Sequence, residues 1–126
     1  MSRPIKPTDG ELEIFNILWK KGPSTVRVVH EQLNKDAGYT TTLKIMQIMA
    51  EKGLVTRNEE GRTHIYTAAA PEEETQQHLL NRFLDTAFRG SAMKLVMQAL
   101  GNRKTSKDEL NQIRNLLDRM EEEPRE

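Results

Sequence analysis

The sequence predicts a mainly helical chain carrying one β-hairpin. Three observations lead there. Apolar residues recur at three- and four-residue steps through most of the length. Ser/Thr caps and Gly/Pro stops cut that pattern into segments of helical length. Two short strand-like runs, within residues 54–67, flank a polar connection containing a glycine.

The first helix follows Thr8-Asp9-Gly10-Glu11, a capping-box spacing in which the Thr8 hydroxyl accepts an early N–H and Glu11 reaches back. Leu12, Ile14, Phe15, Ile17, Leu18 and Trp19 supply its apolar face, and Gly22-Pro23 ends it. A second helix starts at Ser24 or Thr25, with Val26, Val29, His30 and Leu33 forming a stripe toward a core. His30 on that stripe reads as a satisfied, partly buried histidine. Asn34 to Gly38 reads as a turn, and a third helix spans about residues 40–52 before Gly53. Leu54–Arg57 and Thr63–Thr67 are the strand-like runs, joined by Asn58-Glu59-Glu60-Gly61-Arg62. Three helices followed by a hairpin is the order of a winged helix-turn-helix.

The second half is helical. Pro71 suits a helix start, and Leu79, Leu80, Phe83, Leu84, Ala87 and Phe88 give an apolar face before Gly90. Ser91 caps a helix carrying Met93, Val96, Met97 and Leu100. Ser106-Lys107-Asp108-Glu109 repeats the capping-box pattern, and Leu110, Ile113, Leu117 and Met120 recur as a coiled-coil-like seam. The acidic end, Glu121-Glu122-Glu123-Pro124, is expected to fray. A composition break at Ala68-Ala69-Ala70-Pro71 divides a winged-helix domain, residues 1–70, from a helical dimerisation domain, residues 71–126.

Composition sharpens this. Leu, Ile, Val and Phe number 28 of 126 residues, close to the ~20% floor below which highly charged chains stay disordered. A core that thin draws burial from a partner chain, so the stripes of the second half are read as a dimer interface. There is no cysteine, which excludes disulfides, thiolate metal sites and a cysteine nucleophile. No apolar run approaches a membrane span and the first residues, Met1-Ser2-Arg3-Pro4, lack a signal-peptide core, so a cytoplasmic protein without membrane insertion is expected. No nucleophile elbow or phosphate-cradling glycine loop is present, so neither catalysis nor a cofactor is expected. His78, four residues after Glu74, reads as a surface pair rather than a zinc site.

The charges balance, 19 basic against 19 acidic, which at first argues against nucleic acid. Divided at Ala70–Pro71, the first part holds ten basic and eight acidic side chains and the second nine and eleven, so the halves carry opposite net charges of two. Stepping 100° per residue along the third helix places Thr42, Leu43, Ile45, Met46, Met49 and Ala50 on one side. Thr40, Lys44, Gln47 and Glu51 lie opposite, flanked by Thr41 and Ile48. Such a helix fits a major groove, with Thr40 and Thr41 on phosphate or base, Lys44 on guanine or phosphate, Gln47 on adenine and Ile48 on a thymine methyl. Ser24, Thr25, Arg57, Arg62 and His64 complete the candidate DNA-binding set, and Lys52 adds positive charge beside the helix.

With these elements in order, the sequence resembles the penicillinase-repressor family of bacterial transcription regulators (the BlaI/MecI/CopY type) over nearly its whole length. The resemblance rests on Glu11-Leu12-Glu13-Ile14, Ile17-Leu18-Trp19, Gly22-Pro23-Ser24-Thr25-Val26, Tyr39-Thr40-Thr41-Thr42, Glu51-Lys52-Gly53-Leu54-Val55, and Gly61-Arg62 with Tyr66. In the second half it rests on Phe83-Leu84, Phe88-Arg89-Gly90, Asp108-Glu109-Leu110 and Leu116-Leu117. It implies a homodimeric repressor on an AT-rich dyad operator with TACA/TGTA-like half-sites, using Thr40, Thr41, Lys44 and Arg62. It also implies a membrane sensor–protease as a partner. Three positions depart from the pattern. Ile48 stands where the family often has Arg, Gln98–Ala99 stands at the bond cut in antibiotic-resistance members, and the cysteines of copper-responsive relatives are absent. Two other readings stay open: a winged-helix adaptor for protein partners without sequence-specific DNA binding, and a small-ligand sensor.

Overall fold

A computed structural model describes residues 6–33 and 38–123, with the side chain of Glu60 outside the description. The chain divides into two compact units, Met1–Arg82 and Phe83–Glu126. The first holds α1 (Asp9–Lys21), α2 (Val26–Leu33), α3 (Tyr39–Glu51), the antiparallel strands β1 (Val55–Glu60) and β2 (Thr63–Ala68), and most of α4 (Glu72–Phe88). The second holds the end of α4, then α5 (Ala92–Asn102) and α6 (Lys107–Glu122). The composition break therefore falls just before α4, while the compact units separate within that helix.

Local chemistry accounts for the helix starts. Thr8 and Glu11 form the expected capping box: the Glu11 N–H donates to Thr8 Oγ1 at 3.1 Å and the Thr8 N–H to Glu11 Oε1 at 2.9 Å. Thr25 starts α2, its hydroxyl accepting the Val28 N–H at 3.2 Å. Ser91 and Ser106 cap α5 and α6 in the same way. Helix α6 runs on through Glu122, so the acidic end is helical two residues further than its charge suggests. The turn expected at Asn34 to Gly38 lies, apart from Gly38, outside the described residues.

The core of the first unit joins Ile14, Phe15 and Leu18 of α1, Val26 and Val29 of α2, Met46 and Met49 of α3, and Leu54, Val55 and Tyr66 from the hairpin region. Burying these side chains, at about 25 cal/mol per Å² of apolar surface, fixes α3 against α1 and α2. Trp19 stacks on Phe15 with centroids 5.0 Å apart, and its indole N–H donates to the Ala70 carbonyl at 2.9 Å. Ser24 and Tyr66 exchange backbone hydrogen bonds at 3.0 and 2.8 Å, seating β2 beside the start of α2. The hairpin is longer than the sequence suggests. Asn58, Glu59 and Glu60 pair with Ile65, His64 and Thr63, leaving Gly61-Arg62 as a two-residue turn. Gly61 has φ 63°, the left-handed value a type II′ turn requires at its first central position.

The second unit differs in kind. Arg89, at φ 52°, and Gly90 close α4, with the Gly90 N–H reaching the Leu84 carbonyl at 2.9 Å. Phe83 and Phe88 meet edge to face at 5.5 Å. None of its described residues is buried, although it carries Met93 at 69%, Met97 at 65%, Phe83 at 55% and Leu117 at 53% exposure. Among the described residues no helix is long and apolar enough to cross a membrane, and no cluster of three His, Cys, Asp or Glu could hold a metal. Glu74 and His78 stand 3.9 Å apart as an exposed pair on α4.

Candidate nucleic-acid interface

The two faces of α3 separate as their spacing requires. Thr42, Met46 and Met49 are buried, and Leu43, Ile45 and Ala50 are half-buried against the core. Thr40, Thr41, Lys44, Gln47 and Ile48 are exposed on the opposite side. Gly38, the N-cap of α3, has no side chain to cap the helix, and the Thr41 N–H turns back to the Gly38 carbonyl at 3.0 Å.

A groove of about 500 Å³ runs between the start of α2, the exposed side of α3 and the hairpin. It gathers Thr25, Gln47, Arg57, Arg62 and His64 from the expected set. Thr40, Thr41, Lys44 and Ile48 lie on α3 outside its lining. Arg57 stands opposite Tyr66 in the strand register, and Arg62 occupies the turn at the wing tip. Glu59, opposite His64, supplies negative charge on the same hairpin. His64 is half-buried, and its Nδ1 is buried with no hydrogen-bond partner among the described residues.

Three residues behave differently from their sequence reading. Ser24 is buried, at 6% exposure, and its hydroxyl donates to the Gly22 carbonyl at 2.9 Å, so its side chain is occupied within the fold. Thr25 is partly occupied as the cap of α2. Lys52 turns back toward α1, its Nζ pairing with Glu11 Oε2 at 2.8 Å, rather than adding a free charge beside α3. His30 is half-buried, with Nδ1 2.8 Å from the Thr42 hydroxyl, as its place on the α2 stripe implies.

Of the lining residues outside the expected set, Arg27 and Tyr39 stand out. Arg27 and Tyr39 both line the groove, with the Arg27 guanidinium 5.2 Å from the Tyr39 ring centroid. The sequence holds a signal for Arg27: a cation in the first turn of a helix opposes the helix dipole, so its place there needs another reason. Tyr39 carries no such signal, because an aromatic at a helix start is compatible with burial or exposure.

The residues of the dimer expectation sit on α4, α5 and α6. Leu80, Phe83, Met93, Val96, Met97 and Leu117 are exposed, while Leu79, Leu84, Phe88, Leu100, Leu110, Ile113 and Met120 are half-buried. Gln98 and Ala99 are exposed within α5.

Comparison with known proteins agrees with this architecture. The family model described as penicillinase repressor matches residues 7–119. The chain is similar to the penicillinase repressor of Bacillus licheniformis, 26% identical over 113 residues and covering 88% of each chain. It is 29% identical over 128 aligned positions to the transcriptional regulator BlaI of Mycobacterium tuberculosis, covering 96% of this chain and 89% of that one. The solution structure of the DNA binding domain of the repressor BlaI shares the fold, with a TM-score of 0.51 and 24% identity, over 59% of this chain and 93% of that one. The chain belongs to the penicillinase repressor family.

Proposed function

We propose that this chain is a homodimeric transcriptional repressor that lays α3 of each subunit in the major groove of a dyad operator, with the wing arginines on the flanking backbone. The observation that carries this reading is the division of α3, whose apolar side is packed into the core while Thr40, Thr41, Lys44, Gln47 and Ile48 stand together in solvent. Lys44 donates to guanine or phosphate, Gln47 matches adenine and Ile48 packs on a thymine methyl. Arg57 and Arg62 take phosphates, and His64 joins them in the groove. Dimerisation is supported by the second unit, which exposes Phe83, Met93, Met97 and Leu117 and buries none of its described residues. Membership of the penicillinase repressor family supports DNA as the partner and repression as the role.

The test is fluorescence anisotropy on a duplex selected from fragments of the source genome that the protein retains. Lys44→Ala with Arg62→Ala should weaken binding while leaving the circular dichroism melt and the dimer mass unchanged. Unchanged DNA affinity in that double variant would favour a protein-interaction adaptor instead. Gln98–Ala99 on α5 departs from the bond cut in antibiotic-resistance members, so cleavage there by a sensor–protease is not expected, and sequencing the termini of any fragment from induced cells tests it.

A further inference from the structure

Arg27 lies in the first turn of α2, outside the recognition helix and the wing, yet its guanidinium points into the groove between them. Its position is supported from the core outward. Thr42, at 3% exposure, holds His30 through the 2.8 Å contact at Nδ1. The His30 ring meets Tyr39 edge to face, with centroids 5.8 Å apart and planes at 81°. The face of Tyr39 in turn carries the Arg27 guanidinium at 5.2 Å, within the range of a cation–π contact. Two more guanidinium groups, Arg57 and Arg62, line the same groove, as do Gln47 and His64, whose Nδ1 has no hydrogen-bond partner among the described residues. No described carboxylate is paired with Arg27, Arg57 or Arg62. Three guanidinium groups line one open groove, one of them held over a ring, and such a lining suits a phosphodiester.

We infer that Arg27 is a DNA-backbone ligand, held over Tyr39 so that its guanidinium meets a phosphate of the duplex entering the groove between α2 and the wing. Tyr39 is a positioning residue: it orders Arg27 before DNA arrives, and the His30–Thr42 contact orders Tyr39. The inference rests on the DNA-binding reading above, and its test separates the two. The probe is a 30-base-pair duplex of mixed sequence (about three helical turns), because a phosphate contact is sequence-independent.

Binding of the full chain is titrated against salt. Wild type should show a steep loss of affinity with salt, and Lys44→Ala with Arg62→Ala should reduce it. If wild type shows no salt-dependent binding, the DNA-binding reading itself fails. Given that binding, Arg27→Ala should lower affinity about tenfold or more at ~0.1 M salt and reduce the salt slope by about one for each subunit engaged. Arg27→Ala with affinity and slope equal to wild type overturns the inference. A loss of affinity at unchanged slope overturns the phosphate assignment. Tyr39→Leu should reproduce part of the Arg27→Ala loss, and Tyr39→Phe, which keeps the ring face, should lose less. The Arg27→Ala/Tyr39→Leu double variant should fall little below Arg27→Ala alone, because both changes remove one contact. Fully additive losses overturn the positioning role of Tyr39. Both side chains are exposed, so the melts of all variants should match wild type.

Discussion

Glu11 shows how one side chain can serve local and tertiary structure together. Its carboxylate closes the capping box of α1 and also pairs with Lys52, just past the end of α3. Burial acts to raise its pKa, but the hydrogen bonds from Lys52 and the Thr8 backbone, with the Lys52 charge, more than offset that. The carboxyl is held below its ordinary value of 4.5. Because the folded-state pKa is the lower one, the unfolded chain binds more protons in acid. The stabilisation is therefore complete above the unfolded value and is lost as pH falls through the folded one. Urea midpoints should thus drop as pH falls below about 4.5, and Glu11→Gln should flatten that drop while costing about 1 kcal/mol near neutrality. Parallel pH profiles for the two proteins would assign the acid response to other carboxylates.

At the scale of the element, α3 is the part in which sequence, packing and proposed function meet. Its buried side consists of Thr42, Met46 and Met49, and this side sets the rotation of the helix about its axis. That rotation decides which residues a groove would meet. Ile48, at 36% exposure, is a side chain whose chemistry differs from the cationic residue often present in the family. An apolar tip favours a thymine methyl, whereas arginine forms a bidentate pair with guanine. Ile48→Arg should therefore shift the base preferred at one operator position toward guanine, by about 1–3 kcal/mol, in a selection from randomised duplexes. An identical selected sequence would place Ile48 outside the base edges. The wing shows a different limit. Its strands pair out to Glu60 and Thr63, through residues whose polarity reads as a loop. Backbone hydrogen bonds across the ladder, which side-chain hydropathy does not report, extend it.

The whole molecule combines one unit with a closed core and one without. The winged-helix unit buries ten apolar side chains, whereas the described residues of the second unit include none that are buried. Helices of 11 to 17 residues, as in α4 to α6, are marginal in isolation. A second copy of the chain is the cover that the proposed function supplies. Light scattering should then give about twice the 14.5 kDa chain mass. Met93→Glu with Met97→Glu should bring the mass down toward one chain and weaken operator binding through lost bivalency. A dimer of undiminished mass in that variant would move the interface off this face of α5. The electrical neutrality of the chain fits the same scheme: a half with a net charge of only two gains DNA affinity when two copies bind one operator.

The sequence alone determined the order of elements, the caps at Thr8, Ser91 and Ser106, and the two faces of α3, because each depends on spacing within a few residues. The short-range chemistry of a helix is written along the chain, and so is the burial of His30 on the α2 stripe. Only the tertiary structure decided the fate of side chains whose partners are distant in sequence. It committed Lys52 to Glu11, 41 residues away, and enclosed Ser24 beside Tyr66. It also brought Arg27 over Tyr39 and into one groove with Arg57 and Arg62. Periodicity gives the face of a helix, but the charge available on that face depends on which other elements pack beside it.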